Sequence, residues 1–359
     1  MPSKHRTSRL WQIWRICIVF VFCINHEIHM ELYSRTNQKL TCFPHDISIN
    51  TTELILARNF IERVDYIDAL PILRTAVLDF NYLQSFPDFI NVSTTLETLS
   101  LNNNNLTSIS SDYLNQLVAL KSLLLRSNRL RSIPDVEGPK HTLKQLDLSF
   151  NELANFPELT ALGTSMVELD ISYNRNVKSI PTEKLIHLAN LTTLIAVGLG
   201  LVRFPDVRPV RETLEHLDLR QNQIVQIDLE VLKELSKLKT FKLDDNNIGT
   251  VPNLCMRYST MVVTLTITSN PIRCDHTARW MKIAEMENVI SLSLVCRYPP
   301  KLNGVSWSDV QMNDLTDATE EFSCVMFNFD AECHSCKLTD PFSGELIDFD
   351  QEPIWNTIV

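Results

Sequence analysis

The sequence predicts an α/β repeat fold, a solenoid of about ten stacked coils that share one parallel β-sheet. Three observations carry that prediction. An asparagine recurs every 22–25 residues, as Asn59, Asn81, Asn104, Asn128, Asn151, Asn174, Asn222, Asn246 and Asn270, with Leu199 standing in once. Leucines precede it at fixed distances, as in LETLSLNNNNL at 96–106, LKQLDLSFNEL at 143–153 and LEHLDLRQNQI at 214–224. Five residues after it comes another apolar residue, usually followed by proline: Phe86-Pro87, Ile133-Pro134, Phe156-Pro157, Phe204-Pro205 and Val251-Pro252.

Each part of the unit has a physical reason. In LKQLDLSFNEL, Leu146 and Leu148 alternate with polar residues, the period of a half-buried strand. Asn151 and Leu153 then mark a sharp inward turn. One unit cannot bury its own apolar face, so it needs a copy on either side. Each buried Leu or Ile contributes about 1.5–3 kcal/mol. The asparagine can donate and accept where the turning backbone leaves polar groups unpaired, each of which would otherwise cost about 1–3 kcal/mol.

These tandem units, over 54–272, resemble the leucine-rich repeat family in its typical extracellular form. The resemblance implies a right-handed solenoid with its parallel sheet on the concave face, large surfaces and no central pocket. It also implies caps. Residues 31–53 read as a reduced N-terminal cap, since Cys42 has no local partner except Cys23. Residues 273–324 resemble the family's cysteine-rich C-terminal flank in Cys274, Trp280, Cys296, Pro299-Pro300 and Cys324. That flank usually begins Cys-x-Cys, but His276 holds the second place here. The resemblance therefore implies a Cys274–Cys296 disulfide and leaves Cys324 to Cys333, Cys336 or Cys255. Beyond the first 30 residues the cysteines are Cys42 and those six, an odd number. One is free, or it joins two chains as a disulfide-linked dimer.

The chain starts with Lys4, Arg6, Arg9 and Arg15, followed by an apolar run at 16–24. That run is shorter than the roughly 20 residues a spanning helix needs. It suits a signal peptide over 1–30, cleaved near 23–30. Retained, the same segment would be an N-terminal anchor. Either reading puts the repeats outside the cytosol. Four N-x-S/T acceptors, at Asn50, Asn91, Asn105 and Asn190, agree with that placement. Asn105 lies between the repeat's Asn104 and inward Leu106, a crowded place for a glycan, so Asn50 and Asn91 are better placed.

The net charge of −10 is concentrated toward the C-terminus, where 325–359 form an acidic tail whose only Lys or Arg is Lys337. Non-specific nucleic-acid binding, which needs clustered Lys and Arg, is excluded. The seven glycines form no phosphate-cradling loop, and neither GxSxG nor HExxH occurs. The chain is expected to be no enzyme and to need no cofactor. Cys333-His334-Ser335-Cys336 supplies too few ligands for zinc, so no metal is expected.

Function is expected on the concave face, where residues flanking the strand leucines form outward rows. The candidate ligand-binding residues are Arg126, Asp147, Asp170, Ile195, Val197, Asp218, Arg220 and Lys242. The next column adds Phe150 and Tyr173, with Phe80 in the same column nearer the N-terminus. Exposed apolar residues at Ile55, Val77, Leu124, Ile195 and Val197 are not needed for folding and read as interaction sites. The seventh coil, LTTLIAVGLGL at 191–201, has Ala196 for a strand leucine and Leu199 for the asparagine. It is expected to interrupt the asparagine ladder, loosen or bend the solenoid and expose an Ile195/Val197 patch.

The reading is a secreted recognition or adhesion protein, similar to innate-immune and adhesion members of the family. It would bind a protein or a microbial-surface component through the concave face. Two alternatives stand beside it. One is a membrane-tethered receptor or adhesion ectodomain held by an uncleaved N-terminal anchor. The other is a structural matrix component without a single ligand.

Overall fold

The structure, a computed structural model, describes residues 31–64, 70–253, 264–286 and 292–315, with the backbone of a strand pair at 338–339 and 346–347. The signal-peptide segment 1–30, and Cys23, Cys255, Cys324, Cys333 and Cys336, lie outside the described residues.

Short strands form one sheet of eleven in chain order. They are β1 (Glu31–Ser34), β2 (Thr51–Ile55), β3 (Thr75–Val77), β4 (Thr98–Ser100), β5 (Ser122–Leu124) and β6 (Gln145–Asp147). Then come β7 (Glu168–Asp170), β8 (Thr193–Ile195), β9 (His216–Asp218), β10 (Thr240–Lys242) and β11 (Thr264–Thr266). Neighbours pair in parallel, and one row of apolar residues runs through the register: Leu123, Leu146, Leu169, Leu194, Leu217, Phe241. Every member of that row is buried.

The return segments carry short helices, α1 (Ser111–Gln116), α2 (Thr182–Leu185) and α3 (Leu229–Glu234), among 3₁₀ turns. Strands pack about 4.8 Å apart, whereas a helix with its side chains needs about 10 Å. The strand side is therefore the inside of the curve. The chain is a leucine-rich repeat solenoid with its parallel sheet on the concave face.

The asparagines work as the sequence implied, and the geometry repeats. Asn151 Nδ2 donates to Leu125 O of the preceding coil at 2.9 Å and to Leu148 O of its own at 3.0 Å. Its Oδ1 accepts from the Leu130 amide at 2.9 Å. Asn81, Asn104, Asn128, Asn174, Asn246 and Asn270 do the same from buried positions.

One expectation is extended and one corrected. The ten repeat units supply β2 to β11, and β1 adds an edge strand before them. β1 is an end coil in which Tyr33 and Arg35 sit where β2's coil has Leu54 and Leu56, and Gln38 where it has Asn59. Facing solvent on one side, that coil does not need the inward leucines, and its signature is lost.

The seventh coil does not open the solenoid. β7, β8 and β9 stay in register. Leu199 and Ala196 are wholly buried, filling the core where the asparagine and leucine would stand. Asn222 Oδ1 takes three amides there, from Leu199, Gly200 and Leu201, at 2.9–3.1 Å. On the other side the Val177 amide, left without an asparagine in the next coil, closes locally on Asn174 O at 2.9 Å.

The C-terminal flank closes the last coil. Cys274 and Cys296, both buried, form the disulfide that the resemblance implied. Helix α4 (Arg279–Met286) carries buried Trp280, whose Nε1 donates to Val251 O at 3.2 Å. Trp307 is also wholly buried. At the other end Cys42 is free and exposed. Among the described residues no helix is long and apolar enough to cross a membrane.

Candidate binding surface on the concave face

The residue before each ladder asparagine adopts a left-handed backbone, with φ between 55° and 59° at Arg58, Phe80, Ser127, Phe150, Tyr173 and Gln221. Such a conformation costs a non-glycine residue about 1–2 kcal/mol. It is held here because each amide donates to the next coil: Phe150 to Ser172 O, Tyr173 to Val197 O, Gln221 to Asp244 O. This turn throws the side chains of the column outward, one above another. That is why Phe80 and Phe150 are 47% and 38% exposed in a protein whose other large apolar side chains mostly face in.

In the middle of the face the column becomes a shelf. The Arg126 guanidinium lies over the Phe150 ring, 4.3 Å from its centroid, and donates to Ser149 Oγ at 3.2 Å. Phe150 stacks on Tyr173 with centroids 4.1 Å apart and planes 27° apart. The Tyr173 hydroxyl donates to Gln221 Oε1 at 2.7 Å. Between them in the column stands Gly198, φ 66°, and a Cβ there would meet Tyr173 Cδ1 at 2.8 Å. The glycine makes room for the ring.

The carboxylates behind the shelf are engaged with their neighbours. Asp147 accepts from the amide and hydroxyl of Ser149 at 2.8 and 2.6 Å. Asp170 sits beside it across the sheet and accepts from the Ser172 amide at 2.8 Å. Burial pushes the Asp170 carboxyl up to about 6, and the charge of Asp147 adds to this. The Ser172 hydrogen bonds and the Arg126 charge only partly offset it.

Farther along, Asp218 is 8% exposed and clamped by Arg220, Nη2 to Oδ2 2.7 Å, with Lys242 Nζ at 4.0 Å. Burial raises Asp244, but hydrogen bonds from Thr266 and Thr268 leave it below the usual carboxylate range. Tyr173, Val197, Arg220, Gln221, Asp244 and Thr268 line an open cleft of about 390 Å³.

Of the sequence candidates, Arg126, Phe150 and Tyr173 come together, and Asp218, Arg220 and Lys242 form a second cluster. Asp147 and Asp170 lie behind the first. Ile195 is half-buried, between Asp170 and Asp218 in the register. Val197 is corrected: it is only 7% exposed, sharing the cleft with the long side chains of Tyr173 and Arg220. Ile55, Val77 and Leu124 are likewise half-buried rather than open. Sequence reasoning missed Gln221 and Gly198, members of the same column whose signal is a glycine one coil after an aromatic residue. Among the described residues no group of three His, Cys, Asp or Glu could hold a metal ion.

Comparisons with known proteins agree with this fold. Two leucine-rich repeat family models match, one over residues 212–272 and one over 95–117. The chain is 28% identical over 153 residues to "Leucine-rich repeats and immunoglobulin-like domains protein 3" of Homo sapiens. That match takes in 42% of this chain and 13% of the relative, so the chain spans a small part of that protein's length. A leucine-rich repeat protein of Leptospira interrogans superposes with a TM-score of 0.58 at 24% identity, over 70% of this chain and 69% of that one. A chain of the octameric complex of Latrophilin 3, Unc5D and FLRT2 superposes at 0.59 and 24% identity, over 80% of this chain and 98% of that one. The chain has the leucine-rich repeat fold.

Proposed function

We propose that this chain is a secreted recognition protein that binds a protein partner on its concave face, at the shelf formed by Arg126, Phe150, Tyr173 and Gln221. The observation that carries the reading is the preassembled stack itself. Aromatic rings and an arginine are the side chains that most often dominate protein interfaces. Here they are held in one geometry by cation–π, ring-stacking and hydrogen-bond contacts, so little ordering remains to be done on binding. The cleft beside Arg220 and Asp244 would take the polar rim of the same partner.

Two further observations support the partner class and the location. The FLRT2 complex pairs a leucine-rich repeat protein with protein partners, as its name states. The Cys274–Cys296 disulfide and the four glycan acceptors suit an oxidising, extracellular setting.

A photoreactive residue in place of Phe150 tests the reading. In the full secreted chain it should capture a protein that an excess of unlabelled chain competes away. The same residue at Ile186, exposed beside α2 and off the sheet, should capture none. Equal capture from both positions would rule the shelf out.

A further inference from the structure

A second outward column runs beside the shelf's column, formed by the residue after each ladder asparagine. It holds Phe60, Tyr82, Asn105, Arg129 and Glu152. Their amides donate in turn to Leu40, Ile61, Leu83, Leu106 and Leu130 O at 2.7–2.9 Å, so these residues occupy successive rungs. Phe60 and Tyr82 stack, with centroids 5.8 Å apart and planes 14° apart, yet stay 42% and 47% exposed. Phe60 lies against one face of the Tyr82 ring, and Asn105 occupies the next rung of the same column.

Asn105 begins the acceptor Asn105-Leu106-Thr107. The crowding expected there falls on Leu106, which is wholly buried, while Asn105 is half-exposed and Thr107 exposed. Among the described residues no hydrogen bond holds the Asn105 carboxamide. The Asn190 carboxamide, in contrast, donates to Thr164 O at 2.8 Å. An exposed aromatic stack that ends at an unengaged acceptor side chain has an occupant of fitting chemistry next to it. The C–H face of a sugar ring is apolar and weakly positive, complementary to the negative face of an aromatic ring.

We propose that Asn105 carries an N-linked glycan whose first sugar lies on Tyr82 and covers the Phe60–Tyr82 stack. The proposal rests on the extracellular placement above. In the transfer, Asn105 Nδ2 forms a bond to C1 of a lipid-diphosphate-linked oligosaccharide as the C1–O bond breaks. The diphosphate leaves with that electron pair, Nδ2 gives up one proton to the transferase, and nothing is oxidised or reduced.

The test is made on the full chain secreted from eukaryotic cells. A glycosidase that converts occupied asparagine to aspartate, followed by peptide mass mapping, should mark Asn105. If Asn50 or Asn91 is marked and Asn105 is bare, this proposal fails alone. If none of the four is marked, the extracellular placement fails with it. Thr107→Ala, which removes the acceptor without touching Asn105, should lower the melting midpoint by about 2 °C. In a Tyr82→Ala background it should lower it by nothing further. Trimming the glycan to its first sugar should leave the midpoint unchanged. Equal losses in both backgrounds would overturn the contact with Tyr82.

Discussion

The Tyr173 hydroxyl reaches Gln221, 48 residues on in the chain, because the residue between them in the column is Gly198. Any side chain at 198 would collide with the ring, and φ of 66° would strain it besides. Gly198→Ala should therefore destabilise the chain by about 1–2 kcal/mol and weaken partner binding. Gly249→Ala, where an added Cβ meets nothing within 4 Å, should do neither. Denaturant midpoints and binding of the two variants check this, and matching behaviour would refute it.

The ladder predicts unequal costs for one substitution. Asn151 Oδ1 accepts from one amide, whereas Asn222 Oδ1 accepts from three. Asn151→Ala should cost about 2–4 kcal/mol, from the buried groups it leaves unpaired. Asn222→Ala should cost more. Urea unfolding measures both, and a reversed order would contradict the assigned geometry.

Asp170 makes stability depend on pH with a definite sign. Its folded value of about 6 lies above the 3.8 of an unperturbed carboxyl, so the folded chain holds this proton more tightly than the unfolded one. The contribution is full below 3.8 and is lost as pH rises through about 6. Asp170→Asn, which keeps a neutral acceptor for Ser172, should match wild type near pH 3.5. At pH 7.5 it should be more stable by about 3 kcal/mol. A difference independent of pH would exclude this assignment.

The Cys274–Cys296 bridge closes a separation of 22 residues. Replacing both cysteines by serine should destabilise the C-terminal flank by about 3 kcal/mol. Amide exchange should rise first at α4, where Trp280 ties the flank to Val251, while the central coils stay protected. Uniform loss of protection across the sheet would mean that the flank and the coils unfold as one unit.

The coils were legible because their physics is periodic. Leu146, Asn151 and Phe156 each recur at nearly fixed spacing, and a buried leucine or a ladder asparagine must be that residue whatever its neighbours are. β1 escaped notice because Tyr33, Arg35 and Gln38 need not fill an interior on both sides. Leu199 reads as a break only when its position is taken apart from the neighbouring coils. In space Asn222 and Asn174 take up the hydrogen bonds it cannot make. Arg126, Phe150 and Tyr173 could be placed on one surface from sequence, but their order as a stack depends on the left-handed turn before each asparagine. The partnership of Tyr173 with Gln221 depends on a residue that contributes nothing but space.

The central claim is that the shelf is where a protein partner binds. It is tested most directly by saturation binding of the labelled, secreted chain to intact cells, comparing wild type with Phe150→Ala/Tyr173→Ala. Binding should be saturable for wild type and weaker by about 30-fold for the variant, the scale of losing a hot spot of about 2 kcal/mol. A Lys184→Ala control in α2 should bind as wild type does. Non-saturable binding, or equal affinity of wild type and the double variant, would contradict the account.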